Sequence, residues 1–363
     1  MNEQRFEGIV PAPAGPMELR ETELFAPGAE PPSLLRHVFF GPDGLRPGWG
    51  ILLFVVLFYG LAQVSFYAAV HTHLLPHHQP AAAGAKAGIQ PQPARFMLVV
   101  EALMALSTLT ATWMMGKIER RPFGSYGFGG GRKAMFFTTG FLWGVGFLAL
   151  LVGALWKMEL LAFDGRLLFG GDVVKYGLVW LAGFVLVGVF EESLMRGYLQ
   201  ITLARGLASL YAMAFQATPT ARARAVGFWV AAVLISFLFG ASHGSNPGES
   251  PIGLVSAGLI GLVFCLTLWR TGSLWWALGF HAAWDWAQSF VFGVADSGTM
   301  VEFHLMGTHP VGKVLLSGGA TGPEGSELIL VVLALVTGVV VWTLPAARRG
   351  DSLRLPASGN RSM

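Results

Sequence analysis

Residues 183–200 read GFVLVGVFEESLMRGYLQ. Apolar and small residues lead into Glu191, Glu192 and Arg196, and the surrounding stretch, residues 174–199, is long enough to cross a membrane as one helix. An ionisable side chain at the centre of a transmembrane helix costs about 2.5–3.5 kcal/mol on insertion scales, so each one needs a partner or a function. The stretch therefore predicts a transmembrane helix that carries a polar site.

The composition of the whole chain is typical of a membrane protein. Of its 363 residues, 53% are hydrophobic and 12% are charged, whereas an ordinary soluble domain has about 25% charged residues. Membrane spans need roughly 20 helical residues, and eight apolar stretches reach or approach that length: 49–70, 96–115, 135–156, 174–199, 226–243, 252–269, 274–294 and 327–345. We therefore predict an all-α, polytopic membrane bundle of about eight transmembrane helices.

The positive charges predict the orientation of this bundle. Lys and Arg concentrate before the first span and after the second, fourth, sixth and eighth spans, and loops of this kind face the cytoplasm. We predict that residues 1–47 are a disordered cytoplasmic tail, 48–346 the transmembrane bundle and 347–363 a second cytoplasmic tail. The expected location is the plasma membrane of the cell. A net charge of +3 gives no basic patch, so no nucleic-acid partner is expected.

Further polar residues lie in two other spans. The fifth span contains VLISFLFGASHG, residues 233–244, with His243, and the seventh contains SLWWALGFHAAWDWAQSF, residues 273–290, with His281 and Asp285. Residues four apart share a helix face, so Glu192 pairs with Arg196 and His281 points the same way as Asp285. Glu191 is rotated about 100° from Glu192, which leaves its carboxylate free to face something else. Glu101 of the second span is predicted to hydrogen-bond between helices.

These groups suggest amide hydrolysis in a wet cavity. A carboxylate and a histidine can activate a water by general-base catalysis, and a histidine beside an aspartate can stabilise the oxyanion of a tetrahedral intermediate. Alternatively, Glu191, His243 and His281 could hold Zn²⁺ with a water in the fourth position. The residues alone leave both routes open. A membrane transporter or a non-catalytic scaffold that uses the same cavity is the alternative function.

Three short motifs resemble one protein family. EESLMRG at 191–197 is similar to EExxxR, FGASH at 239–243 to FxxxH, and HAAWD at 281–285 to HxxxN/D. They are the signatures of the CAAX prenyl endopeptidase and bacteriocin-processing family, also called CPBP or Abi, and the likeness covers about residues 120–295.

The resemblance implies an intramembrane endopeptidase that acts on a membrane-associated protein or peptide. Glu191 with His243 would activate the water, His281 with Asp285 would form the oxyanion side, and Glu192 with Arg196 would support them. Many members are called metalloproteases, whereas the eukaryotic enzyme is often treated as a glutamate-type protease, so Zn²⁺ is a possible cofactor only.

The expected depth of two residues in the membrane conflicts with this assignment. On straight helices, Glu191 falls toward the cytoplasmic half of its span, whereas His243 falls at the outer end of the fifth span. We predict that the fourth span continues as one tilted helix through RGYLQITLARG, residues 196–206, which moves Glu191 closer to mid-depth.

Overall fold

The structure is a computed structural model that describes residues 38–41, 44–76, 91–215 and 220–345. Most of the predicted first tail and all of the predicted second tail lie outside these ranges. The chain is mainly helical, as the composition predicted. The helices are α1 Pro47–His71, α2 Ala94–Ile118, α3 Lys133–Lys157, α4 Gly171–Glu192, α5 Gln200–Ala214, α6 Ala221–Ser242, α7 Pro251–Thr271, α8 Trp275–Trp286, α9 Val314–Ser317 and α10 Leu328–Thr343.

Within the described ranges, six helices are long and apolar enough to cross a membrane: α1, α2, α3, the continuous helix formed by α4 and α5, α6 and α7. The chain is therefore an integral multi-pass membrane protein. The predicted spans 274–294 and 327–345 correspond to the shorter helices α8 and α10. The count of about eight spans and the cytoplasmic position of both termini stay predictions.

The helix that contains the two adjacent glutamates does not end after them. Residues Gly171–Ala214 run on as one helical segment of 44 residues, which confirms the predicted continuation through residues 196–206. Between α4 and α5 the backbone widens into a π-helical stretch, Ser193–Leu199. Such widened turns are rare and occur frequently at functional sites. This one lies directly after Glu192 and contains Arg196.

Close packing of α3 against α8 fixes the helix that carries His281 and Asp285. Gly144 of α3 faces the backbone of α8, and a methyl group in its place would lie 2.5 Å from the carbonyl oxygen of Phe280 and 3.0 Å from Cβ of Ala283. Small residues at such an interface let two helix backbones approach closely. Phe280 precedes His281, so this contact fixes the helix backbone at the site.

A second polar cluster lies where α2 ends. The Glu119 carboxylate accepts hydrogen bonds from Tyr198 Oη at 2.5 Å, Tyr126 Oη at 3.2 Å and Arg205 Nη2 at 2.7 Å. Burial and the adjacent Glu119 carboxylate raise the pKa of Tyr126, which therefore stays a neutral donor. The network attaches α2 to both the π-helical stretch and α5.

Short strands and loops join the helices. The strands are β1 Phe40–Gly41, β2 Gly44–Leu45, β3 Pro91–Gln92, β4 Leu161–Arg166, β5 Met300–Val301 and β6 Met306–Pro310. β1 pairs with β2 and β4 with β6 in antiparallel fashion, whereas β3 pairs with β5 in parallel. The connecting segments also bond to one another: Gly248 N donates to Gly298 O, Gly298 N to Thr321 O, and the Thr321 hydroxyl to Gly248 O.

Candidate active site

A buried ion pair forms the base of the site. Arg196 Nη1 donates to Glu192 Oε1 at 3.0 Å, and neither side chain has any exposed surface. The guanidinium also lies over the Phe239 ring of α6, with its carbon 4.0 Å from the ring centroid. Such a cation over an aromatic face is stabilised electrostatically. Glu192 and Arg196 are thus held between helices in the interior of the bundle.

Three carboxylates surround the imidazole of His281. Its Nδ1 lies 3.0 Å from Glu192 Oε1, within hydrogen-bond distance. Its Nε2 lies 3.5 Å from Asp285 Oδ2 and 3.7 Å from Glu191 Oε2, distances suited to electrostatic attraction. His281 and Asp285 share one face of α8 because they are four residues apart. The protonated imidazole is the form that these neighbours stabilise.

The second histidine, His243, is held in place by the last turn of α6. His243 follows α6, and its Nδ1 lies 2.8 Å from the carbonyl oxygen of Phe239. A carbonyl oxygen only accepts, so Nδ1 must carry the proton, and Nε2 of the neutral ring is the acceptor nitrogen. An imidazole in this tautomer can accept a proton from water through Nε2.

One cavity brings most of the predicted site residues together. It has a volume of about 300 Å³, and Glu191, His243, His281 and Asp285 all line it. Glu192 and Arg196 are not among its lining residues, but Glu192 contacts the lining residue His281 and Arg196 lies over the ring of the lining residue Phe239. Among the described residues, no hydrogen bond or ion pair joins Glu191 to His243. Glu191 and His243 therefore form two walls of the same cavity. This arrangement suits a small molecule bound between the two side chains better than a direct contact.

Two further carboxylates in this cavity escaped the sequence analysis. Glu324 Oε1 accepts from the Trp284 indole at 2.8 Å, and its Oε2 accepts from the Ser297 hydroxyl at 2.9 Å. Asp296 accepts from the Ser289 hydroxyl at 3.1 Å. Burial, together with nearby carboxylates, raises the pKa of Asp296 well above its ordinary value. Both acids lie in connecting segments, where acidic residues are common, so their presence in the sequence does not indicate a functional site.

Glu101 differs from its predicted role. It lies on α2 and lines the same cavity as Glu191. Its Oε2 is buried without a hydrogen-bond partner, and across the described part of the chain its carboxylate makes no hydrogen bond or ion pair. The signal for a site residue was present, because Glu101 is an isolated charge in an apolar span.

The donor geometry gives no support to the zinc alternative. The part of the chain that the structure describes contains no group of three or more His, Cys, Asp or Glu side chains arranged to hold a metal ion. We therefore derive no catalytic step through a metal.

Comparison with protein families identifies the segment that contains these groups. Residues 173–287 match the family model described as type II CAAX prenyl endopeptidase Rce1-like. This segment is a CPBP-family domain. The match confirms the resemblance inferred from the three motifs, all of which lie within it. The Rce1-like domain spans roughly a third of the chain, from α4 to the end of α8.

The remaining elements around the cavity lie outside the Rce1-like domain. Glu101 on α2 precedes it, whereas Asp296 and Glu324 follow it. Searches among curated proteins and among solved structures each gave no match. The family supports an intramembrane CAAX-type peptidase that acts on membrane-associated substrates.

Proposed function

We propose that the chain is an intramembrane endopeptidase that hydrolyses a peptide bond in a membrane-associated protein or peptide. The observation that carries this proposal is the single cavity lined by Glu191, His243, His281 and Asp285 inside an Rce1-like domain. Amide hydrolysis needs a base for the water and a donor for the oxyanion. Both types of group face this cavity.

Glu191 and His243 are the groups that activate the water. The Glu191 carboxylate takes a proton from the water as its oxygen attacks the carbonyl carbon, and Nε2 of His243 accepts a hydrogen bond from the same water. When the tetrahedral intermediate collapses, the carbon–nitrogen bond breaks and the proton passes from Glu191 to the leaving amine. A bound water between two walls of a cavity is oriented before it reacts, which lowers the entropic cost of attack.

His281 is the oxyanion donor in this mechanism. Its Nδ1–H donates to Glu192. Within the described residues its Nε2–H makes no hydrogen bond, and the Asp285 and Glu191 carboxylates lie 3.5 and 3.7 Å from it. Nε2–H is therefore available to the carbonyl oxygen as negative charge develops on it. Asp285 acts through His281, because its carboxylate stabilises the protonated ring. Arg196 neutralises Glu192, the acceptor of Nδ1–H.

The cellular arrangement of the proposed enzyme follows from the sequence patterns. We assign residues 48–346 to the transmembrane bundle, with a catalytic core at about 120–295 and cytoplasmic tails on either side. The membrane is proposed to be the plasma membrane.

Cleavage of a membrane-anchored peptide by purified protein in liposomes tests the proposal. Glu191→Gln and His243→Ala are each expected to lower kcat by about 100-fold or more, the usual contribution of general acid–base catalysis. His281→Ala is expected to lower kcat by at least as much, as for the loss of an oxyanion donor. Glu159→Gln, a change at an exposed carboxylate outside the cavity, is the matched control and should keep full activity. Cleavage that survives all three active-site changes would overturn the assignment. A chelator followed by added Zn²⁺ tests the metal route separately.

A further inference from the structure

Glu101 stands apart from the other acids of the cavity. Five carboxylates line this space, contributed by Glu101, Glu191, Asp285, Asp296 and Glu324. Four of them have a partner within the described residues: Glu191 and Asp285 face His281, whereas Asp296 and Glu324 accept hydrogen bonds from hydroxyl and indole groups. Glu101 has none, and its Oε2 is buried. The carboxylate oxygens of Glu101 can therefore accept hydrogen bonds from a molecule that enters the cavity.

The helix geometry explains why Glu101 faces the cavity and not lipid. Met97 and Glu101 are four residues apart on α2 and both line the cavity. The same face continues through the buried residues Ala105, Thr108 and Thr112, so it is the interior face of the helix. α2 packs against α4. Glu101 is therefore fixed on the wall of the cavity by a helix outside the Rce1-like domain.

The charges of the cavity favour a cationic occupant. Besides the five carboxylates, the lining residues within the described ranges include two histidines and no lysine or arginine. The buried Arg196 is already paired with Glu192. An ionised carboxylate in a dry environment is costly without a counter-charge, and the residues that the structure describes supply none at Glu101. A positively charged group on the substrate would supply it.

The surroundings of Glu101 suit a long basic side chain. Phe184, Val187 and Glu191 lie along one face of α4 and line the same cavity as Met97 and Glu101. A lysine or arginine can bury its methylene chain along such apolar residues while its charged end reaches a carboxylate. The same face of α4 ends at Glu191, the proposed base. A basic residue held there would lie close to the bond that is hydrolysed.

We propose that Glu101 is a specificity-determining residue that binds a lysine or arginine side chain of the substrate near the scissile bond. This inference rests on the proposed peptidase function and adds the substrate class to it. The interaction is a charge-assisted hydrogen bond inside a cavity, which is stronger than a neutral one.

Matched peptides test this assignment. The probe is a membrane-anchored reporter peptide in which one lysine is placed in turn at each of the positions flanking the cleaved bond, and each is compared with its norleucine counterpart. The wild type should cleave the lysine form with a kcat/KM about 10-fold higher at one position, as expected for one charge-assisted hydrogen bond. Glu101→Gln should remove this preference by raising the KM of the lysine peptide to that of its norleucine counterpart.

Further variants separate binding from folding. Glu101→Asp keeps the charge and should retain part of the preference, and Glu101→Lys should favour a peptide with glutamate at the same position. Glu159→Gln is the control that should leave the lysine preference intact. If no position prefers lysine, or if Glu101→Gln keeps the preference, the inference is wrong. If the Glu191→Gln variant still cleaves the peptides, the proposed mechanism fails, and this outcome is distinct from a failure of the inference about Glu101.

Discussion

The contact between α3 and α8 predicts how finely the site depends on helix packing. In Gly144→Ala the new methyl group would lie 2.5 Å from the Phe280 carbonyl oxygen and 3.0 Å from Cβ of Ala283. Favourable separations between non-bonded heavy atoms are about 3.5 Å or more, so α8 has to move away by about 1 Å. A backbone carbonyl cannot rotate aside as a flexible side chain can. Overpacking of this kind costs about 1–3 kcal/mol.

The same displacement should reach the chemistry, because Phe280 precedes His281. A misplacement of about 1 Å can cost about 100-fold in rate, so the variant should lose activity beyond what its lower melting temperature explains. The assays are thermal unfolding in detergent and peptide cleavage at a temperature where the variant is fully folded. Gly146→Ala is the matched control on the same helix, since nothing lies within 4 Å of its added methyl group. Wild-type melting and cleavage in Gly144→Ala would refute the packing argument.

Two further changes probe buried charge. Arg196→Met leaves His281 as the remaining cationic neighbour of Glu192 at a site with no exposed surface and should lower the free energy of unfolding by up to about 3–5 kcal/mol; a double variant with Glu192→Gln should recover part of this loss in chemical unfolding, and equal stability of single variant and wild type would contradict the pairing. Asp296 has a folded pKa above its ordinary value of 3.8, so its ionisation destabilises the fold as pH rises past about 4. Asp296→Asn should therefore raise the melting temperature at pH 7 and lose that advantage below about pH 4, whereas a pH-independent difference would show that charge is not the cause.

Local patterns predicted the parts of the site that lie on regular helices. The four-residue spacings of Glu192 with Arg196 and of His281 with Asp285 place each pair on one helix face, and the structure has each pair within 3.5 Å. Contacts between helices could not be predicted in this way. The sequence interpretation assigned Glu191 and His243 to the same water and did not predict a contact between Glu191 and His281, whereas in the structure His281 Nε2 lies 3.7 Å from Glu191 Oε2.

The acids outside the three motifs show a second limit of prediction from the sequence. Glu324 reaches the cavity because the loop segments 243–250, 295–300 and 317–326 bond to one another, and such long-range contacts leave no periodic signal. The length of spans also depends on tertiary contacts. The apolar run 274–294 predicted a full span, but only Trp275–Trp286 is α-helical, and a π-helical turn, Ala287–Val291, follows it.

The hydrogen bonds that converge on Glu119 limit how this domain can be exchanged between proteins. Tyr198 and Arg205 lie inside the Rce1-like segment, but the carboxylate that accepts from both belongs to the end of α2. A segment excised at residue 173 would lose that acceptor, together with the glycine of α3 on which α8 packs. The family match thus marks the stretch with recognisable chemistry, while the unit that can be inherited or transplanted intact begins further upstream, at α2 or before.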